Sequence, residues 1–161
     1  MPDRPASEET VVREYPNSTY LLEDSYTVVP GNLVLTNKRL IFLRRTSLSD
    51  KEMEELRKVA QENNTERMLQ FGIGLHKKNL QIPLSSVVAA RLKFQIAFPF
   101  VPRPYMRLDY RSPGKKEKSL SFSFRASFFK RLMMSEFPTL DWIRAIRKAV
   151  KKYRKTIGEL S

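Results

Sequence analysis

Basic side chains are the most concentrated chemical groups in this sequence. Between residues 144 and 155 the chain carries seven cations and no acidic residue, and these cations are Arg144, Arg147, Lys148, Lys151, Lys152, Arg154 and Lys155. Guanidinium and ammonium groups form charge-assisted hydrogen bonds with phosphate and carboxylate oxygens. A solvated helix face commonly carries charge, but seven cations without an acid exceed what solubility requires. The segment therefore predicts contact with a polyanionic surface.

The remaining charge is distributed unevenly along the 161 residues. The formal net charge is +13, from 30 Lys and Arg against 17 Asp and Glu. Residues 1–90 hold 12 basic and 12 acidic residues, whereas residues 91–161 hold 18 basic and 5 acidic ones. Such a field favours anionic lipid head groups, nucleic acid or an acidic protein face, and charge alone does not choose among them.

Residues that typically perform catalysis are scarce. The sequence has no cysteine, and its single histidine, His76, has no second soft metal ligand nearby. We find no glycine-rich phosphate loop, no nucleophile elbow and no paired carboxylates in an apolar frame. We therefore expect a protein that is not an enzyme and that uses neither a cofactor nor a metal.

A proline-rich segment, Gln95–Pro104, is the second candidate for binding. Its three prolines predict a stiff, extended excursion that is not a central strand, yet it carries the apolar side chains Phe98 and Phe100. Two interpretations are open: the rings fold back onto the core, or they enter a membrane or a protein partner while flanking cations hold head groups. The candidate binding set combines this segment with the next turn and the basic helix: Lys93, Phe98, Phe100, Arg103, Arg107, Lys115, Lys116, Arg144, Arg147, Lys148, Lys151 and Lys152.

Alternation of apolar and polar residues predicts the strands that position these groups. The expected strands are Thr10–Tyr15 and Thr19–Glu23, separated by a turn at Pro16–Asn17, and then Val87–Phe94, Tyr105–Tyr110 and Lys118–Phe124. Apolar residues at steps of three and four predict an amphipathic C-terminal helix over about residues 139–157. A short helix is expected over residues 128–133.

A capping box at Ser49–Glu52 predicts one more helix, which ends near Asn63 within a helical insertion of about residues 49–68. We expect this helix to cover an open edge of the sheet. A helix that binds a partner is the alternative.

The segment Gly31–Phe42 has the pattern of two strands joined by a tight turn, in which Asn37 is expected to tolerate a positive φ. Its string G-N-L-V-L-T-N-K-R-L-I-F resembles the signature hairpin of the pleckstrin-homology-like (PH-like) superfamily. GRAM and bacterial PH domains are the closest in pattern, and GLUE domains are more distant. Ile82–Val87 resembles the step that follows this hairpin in the family, and the helix with Trp142 resembles its capping helix.

The resemblance implies a mainly β fold with α-helices. We expect a PH-like, partly open antiparallel barrel of two packed sheets, capped by the C-terminal helix, with a helical insertion after the signature hairpin. Residues 1–9 are expected to form a mobile arm, and residues 10–161 a single PH-like domain.

The resemblance also implies a non-catalytic adaptor. Many lipid-binding PH domains gather Lys and Arg between the first two strands, but the corresponding segment Asp24–Gly31 has neither. We therefore expect peripheral attraction to anionic membrane lipids in place of stereospecific phosphoinositide binding. A GLUE-like protein-interaction module, with ubiquitin or a sorting complex as partner, is the alternative. Charge permits nucleic acid, but no strand interleaves aromatic residues with cations.

No apolar run approaches the roughly 20 residues that a membrane-spanning helix needs. We therefore expect a cytoplasmic protein that lies at the periphery of the membrane.

Overall fold

The computed structural model describes residues 8–22, 27–97, 101–114, 116–124 and 138–158. Within these ranges the elements are β1 (Val11–Leu22), β2 (Val28–Thr36), β3 (Arg39–Arg44), α1 (Asp50–Gln61), α2 (Thr65–Gly74), β4 (Leu80–Pro83), a 3₁₀ turn (Leu84–Ser86), β5 (Val87–Ala97), β6 (Val101–Arg111), β7 (Glu117–Phe124) and α3 (Pro138–Gly158). The short helix expected over residues 128–133 lies outside the described residues.

The strands form one antiparallel sheet in the order β4-β3-β2-β1-β7-β6-β5. Three strand spacings separate β3 from β7, which is about 14 Å in a flat sheet. The rings of Phe42 in β3 and Phe122 in β7 nevertheless lie 5.7 Å apart, so the sheet curls until its two halves pack face to face. The end strands β4 and β5 do not pair with each other, and the barrel stays open. The expected fold class is confirmed.

The C-terminal helix α3 closes one end of the core, as its apolar stripe predicts. Trp142, Ile143, Ile146 and Val150 are buried, and the Trp142 ring stacks on Phe124 at 5.8 Å. Ile157, the last member of the predicted stripe, is 47% exposed, because the helix continues beyond the end of the sheet. The helix therefore presents one face to the core and its cations to the surroundings.

The first strand differs from the prediction. The sequence suggests two short strands around a turn at Pro16–Asn17, but β1 is continuous through these residues. Its pairing with β2 passes from Tyr15–Leu33 to Thr19–Gly31, so three residues of β1 face a single residue of β2. A proline is accommodated at such a bulge because the ladder hydrogen bonds are interrupted there.

The signature hairpin owes its residue types to the contacts of its turn. The Thr36 hydroxyl accepts the backbone N–H groups of Lys38 and Arg39 at 3.1 and 2.9 Å. Asn37 accepts the N–H of Thr10 and donates to the carbonyl of Glu8, both at 3.0 Å. The expected positive φ at Asn37 is wrong, since Asn63 is the non-glycine residue with positive φ in the described ranges. The amide of Asn37 is used to hold the preceding chain instead.

The last two residues of the expected N-terminal arm are anchored to this turn. Glu9 is 2% exposed and accepts the hydroxyl of Thr36 at 2.8 Å. It also forms an ion pair with Arg39, whose Nη2 lies 2.7 Å from Glu9 Oε2. Residues 1–7 lie outside the described residues, so the prediction of a mobile arm applies to them alone.

The helical insertion contains two helices where one was predicted. The Ser49–Glu52 capping box of α1 is confirmed, with Ser49 N donating to Glu52 Oε2 at 2.8 Å. A second helix, α2, follows and packs Leu69 against Val34 and Ile41. These two residues point out of the barrel from β2 and β3. Helix α2 therefore covers the outer face of the hairpin. That α1 covers an open edge of the sheet stays a prediction.

Candidate anion-binding surface

The proline-rich segment forms a β-ribbon, which corrects the prediction of a non-strand excursion. Strands β5 and β6 stay paired as far as Ala97 and Val101, with Pro104 opposite Phe94 and Pro102 opposite Ile96. Strand β7 pairs with β6 only from Met106 to Arg111. Among the described residues, the outer edge of β6 has no partner strand beside these prolines, so their missing N–H groups break no ladder bond there.

The base of this ribbon is exposed. Phe94 is 62% exposed, the largest value among the exposed apolar residues of the described chain, and its neighbour Lys93 is also exposed. Successive strand residues alternate between faces, so Lys93 lies on the outer face and Phe94 on the opposite one. The predicted tip residues Phe98 and Phe100 lie outside the described residues, and the choice between a wedge and core packing stays a prediction.

A polar network on the outer face uses one of the predicted cations. Asp109, with 12% of its side chain exposed, accepts Arg107 Nε at 2.9 Å and lies 3.8 Å from Arg91 Nε. Ser119 donates its hydroxyl to Asp109 at 2.6 Å. This hydrogen bond, opposed by burial and assisted by the two arginines, holds the pKa of Asp109 below its ordinary 3.8. Arg107 is therefore partly neutralised, and sequence reasoning missed the acid responsible.

The predicted lysines of α3 keep their charge unpaired. Arg144 forms a long ion pair with Asp141, with 3.9 Å between Arg144 Nη1 and Asp141 Oδ1. Lys148, Lys151 and Lys152 are exposed, and none of them has a carboxylate within 4.0 Å among the described residues. Because ordinary surface lysines often find an acid at i±3 or i±4, this stretch is an uncompensated positive surface.

Two arginines of α3 bind the open edge of the sheet. Arg147 donates two hydrogen bonds to the Ala90 carbonyl, at 3.2 and 2.8 Å, and Arg154 donates one to the Val87 carbonyl at 3.0 Å. Seven residues of helix and three residues of strand each span about 10 Å, which explains why this pair of arginines meets this pair of carbonyls. Helix α3 therefore lies antiparallel to β5 along its free edge.

A groove runs between this edge and the helix. Its volume is about 280 Å³, and α3 lines it with Arg147, Lys151 and Arg154 beside the apolar Ile146 and Val150. The three cations recur at steps of four and three, so they share one helix face. Sequence reasoning did not include Arg154 in the binding set. The seven-residue spacing of Arg147 and Arg154 is visible in the sequence. Their acceptors are backbone carbonyls of β5, which no pattern of side chains indicates.

The structure distributes the predicted binding set over several places, and Arg144, Lys148 and Lys152 lie on α3 outside the groove. Arg147 and Lys151 lie in the groove, Lys93 and Arg107 lie on the outer face of the sheet, and Lys116 lies in the turn before β7. Arg103 lies opposite Gln95 in the ribbon. Lys115 falls outside the described residues. The cations thus surround the β5 edge and do not form a single pocket.

Comparisons with known proteins concern the fold alone. Neither a family model nor a curated protein matches the chain. Among solved structures, the chain is similar to the hSac2 domain from the human phosphoinositide phosphatase Sac2, with a TM-score of 0.54 and 12% sequence identity over 98% of this chain and 74% of that one. No helix in the described part of the chain is long and apolar enough to cross a membrane.

Proposed function

We propose that this protein is a non-catalytic adaptor of the PH-like superfamily that binds anionic membrane surfaces peripherally. The observation that carries the proposal is the positive charge of Lys148, Lys151 and Lys152 on α3, none of which has a carboxylate partner in the part of the chain that the structure describes. Anionic lipids of the cytoplasmic leaflet attract such residues with about 1 kcal/mol per cation. The exposed Phe94 supports the same placement, because an exposed aromatic ring is suited to the membrane interface.

The proposal can be tested by co-sedimentation with vesicles of phosphatidylcholine alone and of phosphatidylcholine with phosphatidylserine. We expect the protein to bind the anionic vesicles at low salt and to dissociate as salt screens the surface. Replacing Lys148, Lys151 and Lys152 together by Gln should weaken binding by about 100-fold, since three cations contribute about 1 kcal/mol each. Replacing Phe98 and Phe100 by Ser tests the contribution of the ribbon tip.

A matched control removes the same charge elsewhere. Lys51, Arg57 and Lys58 are exposed cations of α1, and Lys58 differs from the tested lysines in pairing with Glu54 at 3.1 Å. Their replacement by Gln should change vesicle binding by about threefold at most, because charges beyond a Debye length contribute little. If the folded protein sediments with neither vesicle type, or if both triple variants lose binding equally, the proposal fails.

A protein-interaction module is the second candidate, and the exposure of Phe94 also favours it. Docking on apolar side chains should persist at high salt, whereas attraction to head groups or nucleic acid should weaken steeply. Binding of a protein partner that survives high salt and is lost in Phe94→Ser would favour this candidate.

A further inference from the structure

We propose that the groove between β5 and α3 binds the phosphomonoester head group of an anionic lipid. This inference rests on the proposed membrane function and adds a site to it. The residues that would contact the phosphate are Arg147, Lys151 and Arg154, which line the groove from one face of α3. The segment Asp24–Gly31, where many lipid-binding PH domains gather cations, has neither Lys nor Arg.

The groove arginines are held in place before any ligand arrives. Arg147 donates two N–H groups to a β5 carbonyl and Arg154 donates one. A guanidinium has five N–H groups in total. Their remaining donors and their full positive charges stay available, since neither has a carboxylate partner in the described ranges. Donors that are already fixed lose little conformational entropy when an anion binds.

The charge of the groove indicates a doubly charged ligand. Lys151 lies on the helix between the two arginines, so three cations face one small concave space. A phosphomonoester carries between one and two negative charges at neutral pH and offers three acceptor oxygens, as a phosphorylated side chain does. A phosphodiester or a serine head group offers less charge to the same cations. The groove volume of about 280 Å³ is at the lower end of ligand pockets, which favours a compact head group.

The same contacts argue against an acidic peptide added as an extra strand on β5. Such a strand needs the free carbonyls of the edge as acceptors. Two of them, at Val87 and Ala90, already accept arginine N–H groups. A small anion can bind to these arginines without displacing them, whereas a strand would have to displace both.

The test compares two adjacent lysines of α3. Lys151 lines the groove and Lys152 does not, yet both are exposed and each removes one charge when replaced by Gln. Wild type, Lys151→Gln and Lys152→Gln are titrated with phosphatidylcholine vesicles that contain phosphatidic acid or phosphatidylserine, adjusted to equal surface potential. The groove arginines are left intact because they also bind β5.

We expect wild type to prefer phosphatidic acid by about tenfold, the value of one additional charge-assisted contact. Lys151→Gln should abolish this preference, while Lys152→Gln should weaken binding to both lipids equally and keep it. Equal binding of the two lipids by wild type, or equal behaviour of the two variants, would overturn the head-group site and leave the membrane function standing. Failure of both vesicle types to bind would instead refute the membrane function, and this site with it.

Soluble competitors separate a lipid head group from free phosphate. Glycerol 3-phosphate should displace wild type from phosphatidic acid vesicles more effectively than inorganic phosphate at equal ionic strength. If inorganic phosphate competes equally well, the groove is a site for the free anion, and the assignment to a lipid is overturned.

Discussion

The two ends of the sheet differ in how their polar groups are satisfied. At the hairpin end, the charged side chains Glu9 and Arg39 bind each other at 2.7 Å, and α2 covers the outer face of β2 and β3. At the other end, β5 has a partner strand on one side only within the described residues, and two arginines of α3 reach its other edge. In the same ranges three lysines of α3 have no acidic neighbour. The charged groups at the hairpin end are paired with each other, whereas the cations at the β5 end are available to a ligand.

The hairpin that resembles a known family and the surface that we expect to bind anionic lipid therefore lie in different parts of the molecule. The hairpin carries the string that resembles a family, and its Thr36 and Asn37 are occupied in holding the turn and the chain before β1. The β5 edge carries no comparable string. In this protein a sequence signature therefore reports how the chain folds, and the candidate binding groups lie about the opposite end of the sheet.

The largest effect that would sharpen this comparison is expected at Gly31. A Cβ added there would lie 2.6 Å from Phe42 Cζ and closer still to the Leu43 carbonyl, so β2 and β3 could not keep their spacing. Gly31→Ala should lower the free energy of unfolding by about 3 kcal/mol, measured by urea denaturation. Gly74→Ala is the control, because nothing lies within 4 Å of its added Cβ. Equal stability of the two variants would contradict a structural role for the signature glycine.

A smaller effect is expected when the ion pair of the hairpin is broken. Burial alone would raise the pKa of Glu9, but hydrogen bonds from Arg39 and Thr36 outweigh it and hold the pKa below the ordinary 4.5. Folding therefore releases protons near that pH, and the stability from Glu9 is present above pH 4.5 and is lost as the pH falls through the lower folded pKa. Glu9→Gln should cost about 2 kcal/mol at neutral pH.

The measurement is thermal or urea unfolding of wild type and Glu9→Gln across this range of pH. Their stabilities should converge in acid. Glu8→Gln serves as the control, since the Glu8 side chain is exposed and its backbone carbonyl makes the contact to Asn37. A difference between wild type and Glu9→Gln that stays constant below pH 4.5 would show that the carboxylate charge is not what anchors the chain.

Sequence patterns predicted the hairpin, the capping box at Ser49 and the stripe of α3, because each depends on residues close together in the chain. They missed α2, whose Gly72 and Gly74 are poor helix formers. Asn79 helps to hold this helix by donating to the carbonyls of Gly72 and Ile73. Helix propensity takes no account of such side-chain contacts to the end of a helix.

The candidate site was predicted less completely than the fold for the same reason. The cations of the candidate site were visible in the sequence, but which of them find partners depends on how the strands pair and on how α3 packs against β5. Asp109 pairs with Arg107 on the same strand and with Arg91 on β5. The acceptors that fix Arg147 and Arg154 are backbone carbonyls, and residue types do not show which carbonyls are accessible.

The smallest effect concerns this neutralisation and has opposite signs in two measurements. Asp109→Asn removes the carboxylate that Arg91, Arg107 and Ser119 share. The loss of these charge-assisted contacts should lower the free energy of unfolding by about 1 kcal/mol. The freed arginines should at the same time strengthen binding to anionic vesicles by about fivefold, the effect of one further cation at the surface. A variant that is less stable yet binds more tightly separates folding from binding.

The matched control for this variant is Glu117→Gln, which changes the net charge by the same amount at the far end of β7, opposite Arg111. If net charge alone governs binding, the two variants should strengthen it equally. If the position of the freed arginines matters, Asp109→Asn should have the larger effect, because Arg91 lies on β5 and Arg107 on its partner strand β6, whereas Glu117 begins β7. A fall in vesicle binding for Asp109→Asn would mean that the ordered network, and not its free charge, forms the binding surface.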